Sequence, residues 1–249
     1  MSRIELPMSR SRQPHQLPQL VRRYLECTTG VDIPAQVEIH QTGEMFRRPG
    51  SRALRFTAIE RFATDRISFV WSARFGIGRS ARFAIGRFSP LRVTDRYEDG
   101  RGTLSVRAFG VPLQGQSGPE VSVGEAYRYL AELPWVPYAM VANPQLHWRE
   151  VEESAVEVSA EVGAERVAVT LAFERSGAIA RSLATARPRS TDGRMVKCAW
   201  GGEFRNYGWR GPIRIPTEAE VYWEGVEGKF VYWRARIDRA SVRRERFDG

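Results

Sequence analysis

Long hydrophobic runs are missing from this sequence. No apolar stretch reaches the roughly 18 residues a membrane-spanning helix needs. Cysteine is scarce: Cys27 and Cys198 are the only two. They lie far apart without metal or redox spacing, which excludes a disulfide scaffold and a zinc ribbon. Only three histidines occur, His15, His40 and His147. None has a metal-ligating partner close by in sequence, so no metal site is expected. Gly-x-Ser-x-Gly, a phosphate loop and a dinucleotide fingerprint are all absent, and no cofactor is expected. The first twenty residues are rich in Arg, Pro and Gln and carry no apolar run of signal-peptide length. On these grounds the expectation is a cytoplasmic protein with free thiols.

Lysine is nearly absent as well. Of 38 basic residues only Lys197 and Lys229 are lysines, and the net charge is +9. The excess is confined to the first half: residues 1–111 hold 19 Arg against 10 acids. From Arg66 to Arg92 there are six Arg and no acid. That segment suits an anionic partner, a membrane or nucleic-acid surface, or else the wet face of strands.

What is present is periodicity. Length of 249 residues and 42% apolar content fit one large domain or two small ones. Residues 1–16 read as a disordered tail. Leu17, Leu20, Val21, Tyr24 and Leu25 recur at helical spacing, predicting a helix over 18–28. From residue 35 the period becomes two. Val37 and Ile39, then Leu54, Phe56 and Ala58, then Ile67 through Phe75, then Leu91, Val93, Asp95 and Tyr97, then Leu104, Val106 and Ala108 each form an apolar face. A near-repeat, Arg74-Phe-Gly-Ile-Gly-Arg79 and Arg82-Phe-Ala-Ile-Gly-Arg87, reads as a strand hairpin. This half gives six predicted strands.

Ser122-Val-Gly-Glu125 reads as a capping box opening a helix, with helical structure expected over 122–142. The apolar, proline-broken segment 135–142 is expected to press onto the sheet as a lid. Seven more strands follow, at 146–152, 155–162, 166–174, 178–187, 196–207, 213–223 and 229–237. Residues 238–249 read as a basic tail. The predicted fold is a mainly β, β-rich α+β single domain over 17–237. Its long antiparallel sheet must curl, because strands twist, into a half-barrel or open barrel with short helices covering one side.

Arg194-Met-Val, Trp200-Gly-Gly-Glu-Phe204-Arg-Asn-Tyr207, Gly211-Pro-Ile-Arg-Ile-Pro216-Thr, Glu125-Ala-Tyr-Arg128 and Asp95-Arg-Tyr97-Glu-Asp-Gly100 together resemble a widespread bacterial family of unknown function. The likeness covers about residues 17–237. The Tyr-x-Asp-Gly turn and the Tyr…Gly-x-x-Ile-Pro-Thr hairpin are also similar to lipoprotein-localisation-factor-like half-barrels. That resemblance implies an incomplete barrel, a helical lid over an apolar cavity, and carriage of lipid-like groups.

Candidate site residues follow from faces. Trp71, Trp135, Trp148 and Trp233 are bulky, rigid residues suited to a core or to a pocket wall. Tyr138 lies in the lid. Asp95 and Tyr97 share an otherwise apolar strand face, where an acid and a phenol either bond each other or hold a ligand's polar group. Tyr207 and Glu220 are candidates on later strands. Glu220 acts as a base only if its face lines a cavity, and is otherwise a wet structural acid. Trp209, in a turn, is excluded. Glu125 is assigned to the helix cap, and Arg128 with Glu132 to an i,i+4 ion pair. The leading functional expectation is binding of a hydrophobic or amphipathic small molecule or acyl chain under the lid. The alternatives are acid–base enzymology on an apolar substrate in the same cavity, or association with an anionic surface. Under the pocket reading, Trp135→Ala changes ligand affinity more than stability.

Overall fold

The computed structural model describes residues 16–29, 32–76, 91–191, 194–225 and 228–244. Helix α1 (Gln19–Thr28) comes first. Strands β1 (Gln36–Met45), β2 (Leu54–Ala63), β3 (Phe69–Phe75), β4 (Leu91–Glu98), β5 (Arg101–Ala108) and β6 (Val111–Ser117) follow. Helix α2 (Pro119–Ala131), a 3-10 turn (Leu133–Trp135) and the short α3 (Ala139–Ala142) interrupt the strands. The rest is β7 (His147–Glu152), β8 (Ala155–Val162), β9 (Glu165–Phe173), β10 (Ile179–Thr191), β11 (Arg194–Arg210), β12 (Ile213–Gly225) and β13 (Gly228–Arg243).

Among the described residues, thirteen strands form one sheet, in the order β6-β5-β4-β3-β2-β1-β13-β12-β11-β10-β9-β8-β7. Two meanders are thus joined where β1 pairs with β13, from Gln36↔Arg243 to Met45↔Trp233. β6 and β7 are the two ends and do not pair, so the barrel stays open. Helix α2 packs against β4, β5 and β6 at one end of the sheet and β8 to β11 towards the other. A flat sheet cannot reach one helix from both directions. The sheet therefore curls around α2, as strand twist demands over this many strands.

Residues alternate as the sequence implies. On β2 the side chains of Phe56, Ala58, Glu60 and Phe62 are buried, and on β3 those of Phe69, Trp71, Ala73 and Phe75. Enclosure by the sheet leaves α2 with hardly any wet side: Val123, Gly124, Glu125, Ala126, Tyr127, Tyr129, Leu130 and Ala131 are all buried. Close approach is permitted by small residues. Gly102 on β5 faces Ser122, where an added Cβ would lie 2.8 Å from the Ser122 Cα. Ser122 Oγ accepts the Gly102 amide at 2.9 Å.

Gly43 shows the same principle inside the sheet. A Cβ there would overlap the Arg234 carbonyl oxygen and lie 2.6 Å from Phe56 Cζ. Backbone cannot yield to it. Gly43→Ala is expected to destabilise the fold by about 1–3 kcal/mol, the usual range for overpacking. The shift in the midpoint of urea unfolding measures it, and an unchanged midpoint contradicts the close approach.

Three expectations differ from the structure. Helix α2 starts at Pro119 with Gly118 as its cap. Ser122 and Glu125 are therefore interior helical residues, and Ser122 Oγ bonds the Gly118 carbonyl at 2.9 Å instead of capping. Second, β6 is an unforeseen edge strand, exposed along its length, so neither face carries an apolar signal. Third, β13 continues past residue 237 to Arg243, because β1 provides a partner edge there. β3 pairs with β4, Phe75 opposite Leu91. Residues 77–90, with most of the expected near-repeat hairpin and of the Arg66–Arg92 segment, lie outside the described residues. Of the expected N-terminal tail, residues 1–15 lie outside the described residues.

Candidate functional site

A cavity of about 250 Å³ lies on the concave side of the sheet beside α2. Its apolar wall is built by rows of residues, one per strand. Met45, Trp233 and Val221 are register neighbours across β1, β13 and β12. Trp200 stands opposite Trp223 across β11 and β12. Trp223 stacks on Tyr232 with ring centres 6.0 Å apart. Trp200 Nε1 donates to the Tyr232 hydroxyl at 3.1 Å, which fixes the aromatic group as a unit.

The other wall is charged. Ile39, Glu60, Trp71, Asp95 and Leu104 form a register row across β1 to β5. Two of these five are acids on an inward face. From α2, Glu125, Arg128 and Glu132 follow one another at i, i+3 and i+7 and face the same space. Arg128 is the hub. Its Nη2 donates to Glu60 Oε1 at 2.7 Å, its Nη1 to Asp95 Oδ2 at 2.7 Å and its Nε to Glu132 Oε1 at 2.9 Å. Its guanidinium also lies 4.9 Å from the Phe69 ring centre and 5.2 Å from that of Trp71. Gln41 ties the network to the apolar wall: its Nε2 donates to Glu60 Oε2, and its Oε1 accepts from Trp71 Nε1. Arg187 of β10 closes the far side. It donates from Nε to the Gly124 carbonyl at 3.1 Å and covers the Trp200 ring at 4.2 Å.

Four acids against two arginines in a buried place leave a deficit of positive charge. Burial, followed by repulsion from Glu132, pushes Glu60 well above the usual carboxylate range. Burial also raises Asp95 and Glu132, against the pull of Arg128. Glu125, buried and next to the Asp95 carboxylate, is pushed up to about 7. Three carboxylate oxygens, Asp95 Oδ1, Glu125 Oε2 and Glu132 Oε2, are buried with no hydrogen-bond partner.

The structure brings three of the nine expected site residues to this cavity: Trp71, Asp95 and Trp233. The others lie elsewhere. Tyr97 and Tyr138 are buried in the core. Trp148 is half-buried on the edge strand β7. Tyr207 donates to the Ile179 carbonyl at 2.8 Å and packs edge-on against Tyr24. Glu220 lies on the other side of the sheet, paired with Arg234 at 2.9 Å in a groove with Glu203, Arg205 and Glu218. This is the wet, structural alternative for that acid. Trp135 is 1% exposed, donates from Nε1 to the Pro216 carbonyl at 3.0 Å and meets Phe204 edge-on at 5.5 Å. It is a packed core residue behind Trp233, not the roof of the cavity, which corrects the expectation that its truncation would spare stability.

Sequence reasoning missed Glu125, Glu132, Arg128 and Arg187 as cavity residues, along with Trp200, Trp223 and Tyr232, and it missed Glu60 as the buried partner of Arg128. Glu60 carried a signal: continuing the alternation Phe56, Ala58 one step further turns it inward. Arg187 carried none, because a bulge between Ala184 and Arg187 resets the strand's phase. Among the described residues there is no cluster able to hold a metal ion, and no helix long and apolar enough to cross a membrane.

The fold and this cavity define a class: an open antiparallel barrel, curled around a buried helix, with one aromatic-walled chamber on its concave side. Within that class the chain belongs to a family of unknown function (DUF6544), whose model matches residues 7–235. Solved structures with a TM-score of 0.5 or more share the fold. A putative outer membrane lipoprotein-sorting protein domain from Vibrio parahaemolyticus is 8% identical, with 95% of this chain and 96% of that one covered and a TM-score of 0.51. A DUF1329 family protein from Desulfovibrio piger is 11% identical, with 92% of each chain covered and a TM-score of 0.50. A LolA superfamily protein from Nitrosomonas europaea is 10% identical, with 91% and 93% covered and a TM-score of 0.44. No curated protein matches significantly. The expected likeness to lipoprotein-localisation-factor-like half-barrels is therefore present in the fold. The cytoplasmic expectation is corrected: it conflicts with structural relatives named for lipoprotein sorting at the outer membrane.

Proposed function

We propose that this protein binds the apolar part of a hydrophobic or amphipathic small molecule, or of an acyl chain, in the concave chamber. The observation that carries the reading is the chamber itself. About 250 Å³ of space lies between Met45, Val221, Trp223, Tyr232 and Trp233 on one side and the α2 acids on the other. A pocket with mostly apolar walls and a few converging polar groups is the usual form of a small-molecule site. The shared fold with a domain named for lipoprotein sorting supports the same class of ligand.

Acid–base chemistry on an apolar substrate is a second reading. It has one specific support: Glu125, raised to about 7, stands beside Asp95 in the chamber. Of the other acid–base candidates, Glu220, Tyr97 and Tyr207, none lines the chamber.

Binding is tested with the neutral fluorophore N-phenyl-1-naphthylamine. The protein is expected to enhance and blue-shift its emission at one site per chain. Val221→Phe, which fills the chamber from the sheet side, is expected to weaken that binding at least tenfold. No enhancement, or binding indifferent to Val221→Phe, overturns the reading.

A further inference from the structure

The charged wall of the chamber has more acceptors than it has donors. Arg128 spends three of its nitrogens on Glu60, Asp95 and Glu132. Arg187 donates from its Nε to the Gly124 carbonyl, and its guanidinium lies over the Trp200 ring. Glu60 and Glu132 lie against one another and can share a proton, which occupies that pair internally. The remainder is Asp95 and Glu125. Each exposes one buried oxygen, Oδ1 and Oε2, that meets no donor, and both residues line the chamber. Glu125 is 8% exposed. Arg128 approaches its Oε2 only to 4.0 Å, outside hydrogen-bond reach. Unpaired buried acceptors are costly and rare, and here two of them belong to residues that line the same empty volume. Across that volume stand Trp223, Tyr232 and Trp233, whose ring faces attract positive charge.

We propose that the charged end of the chamber receives a protonated amine, which donates hydrogen bonds to Asp95 Oδ1 and Glu125 Oε2 while the ligand's apolar part lies against Trp223, Tyr232 and Trp233. This rests on the chamber being the binding site for an apolar group, and it names the headgroup. The arrangement selects against anions, because carboxylates outnumber arginines around the chamber and Arg128 already holds three of them. It selects against neutral alcohols, because a hydroxyl brings one donor where an ammonium brings three. Binding is linked to protons. The free site resolves its charge deficit by keeping protons on its acids, and an ammonium displaces the one on Glu125. The groups facing Glu125 are Asp95 from β4, Arg128 and Glu132 from α2, and Arg187 from β10. Glu125 is half-protonated near pH 7, so affinity for an amine rises as pH is raised from 6 to 8. An alkylamine itself stays charged throughout that window.

The test uses three probes with one eight-carbon chain: octylamine, octanol and octanoate. Tryptophan fluorescence and calorimetry follow their binding to the intact protein at pH 6 and pH 8. Octylamine is expected to bind at pH 8 at least tenfold more tightly than either other probe. It should bind several-fold more weakly at pH 6, and release protons on binding. Asp95→Asn and Glu125→Gln, both close in shape to the originals, should each remove most of the amine preference, read as the ratio of octylamine to octanol affinity within the same variant. If octanol or octanoate binds as tightly as octylamine, or if the preference survives in both variants, the headgroup assignment falls and the apolar chamber stands. If none of the three probes binds, the chamber reading falls with it.

Discussion

Arg128→Met is expected to destabilise the protein by about 3–5 kcal/mol at pH 8, the cost of removing one partner from a buried ion network. Three acids lose their nearest cation at once, since Glu60, Asp95 and Glu132 all accept from this one guanidinium. Met is apolar and of comparable length, so the loss reports charge rather than an empty space. The pH dependence gives the argument its sign. Burial raises the Glu60, Asp95, Glu125 and Glu132 carboxyls, and Arg128 is the group that pulls each of them down. Without it they rise further above their unfolded values. Acids raised by folding stabilise the native state while they hold protons, and that contribution is lost as pH climbs through the raised values. The variant's deficit should therefore shrink at pH 5 and grow towards pH 8. Urea unfolding of both proteins at the two pH values decides it. A deficit equal at pH 5 and 8 would mean that packing, not charge, is what Arg128 supplies.

Trp135→Ala should cost a similar amount, about 3–5 kcal/mol, for a different reason. The indole is 1% exposed and lies against Phe204 and Trp233. Truncation leaves a void that a sheet on one side and a 3-10 turn on the other cannot close. It also strips the Pro216 carbonyl of its donor, and an orphaned buried acceptor adds to the loss. Because Trp233 leans on Trp135 and walls the chamber, probe binding should weaken as well, by loosening of the wall rather than by loss of a contact. Denaturation measures the first effect and N-phenyl-1-naphthylamine titration the second. A loss under about 1 kcal/mol would place Trp135 at a collapsible surface instead.

Much of the sheet was legible because period-two patterning survives wherever one face is buried and the other is wet. β2, β3 and β4 show it, and Asp95 stood out as an acid on the apolar side. Legibility failed where that contrast fails. β6 is wet on both faces. β10 changes phase at its bulge, which hid Arg187. The largest miss was α2, where Glu125 read as the acid of a helix cap and Arg128 with Glu132 as an i,i+4 ion pair. Charged residues at i, i+3 and i+7 normally mean solvent, and only a sheet curled fully around the helix turns that stripe inward. No local pattern announces such enclosure. It depends on strands far away in the chain reaching the same helix from both directions. Trp135 failed differently: an apolar, proline-broken segment must be covered, but sequence does not say whether what covers it is packed or hollow.

The joining of β1 to β13 sets the order of events in folding. Each meander is assembled from neighbours in the chain and closes its hairpins over short distances. The seam between them brings His40 to Arg239, 199 residues apart. Contacts of that separation are reached last and raise the entropic barrier to forming the whole. Until the seam forms, β1 and β13 both present bare hydrogen-bonding edges, and either can capture a strand from another molecule. Met45 on β1 meets Trp233 on β13 only across this seam, and the charged wall on β3 to β5 faces the aromatic wall on β11 to β13 only once the two halves are joined. The chamber is thus the last part of the protein to come into being, and a chain that has folded in halves has two sheets and no enclosed space between them.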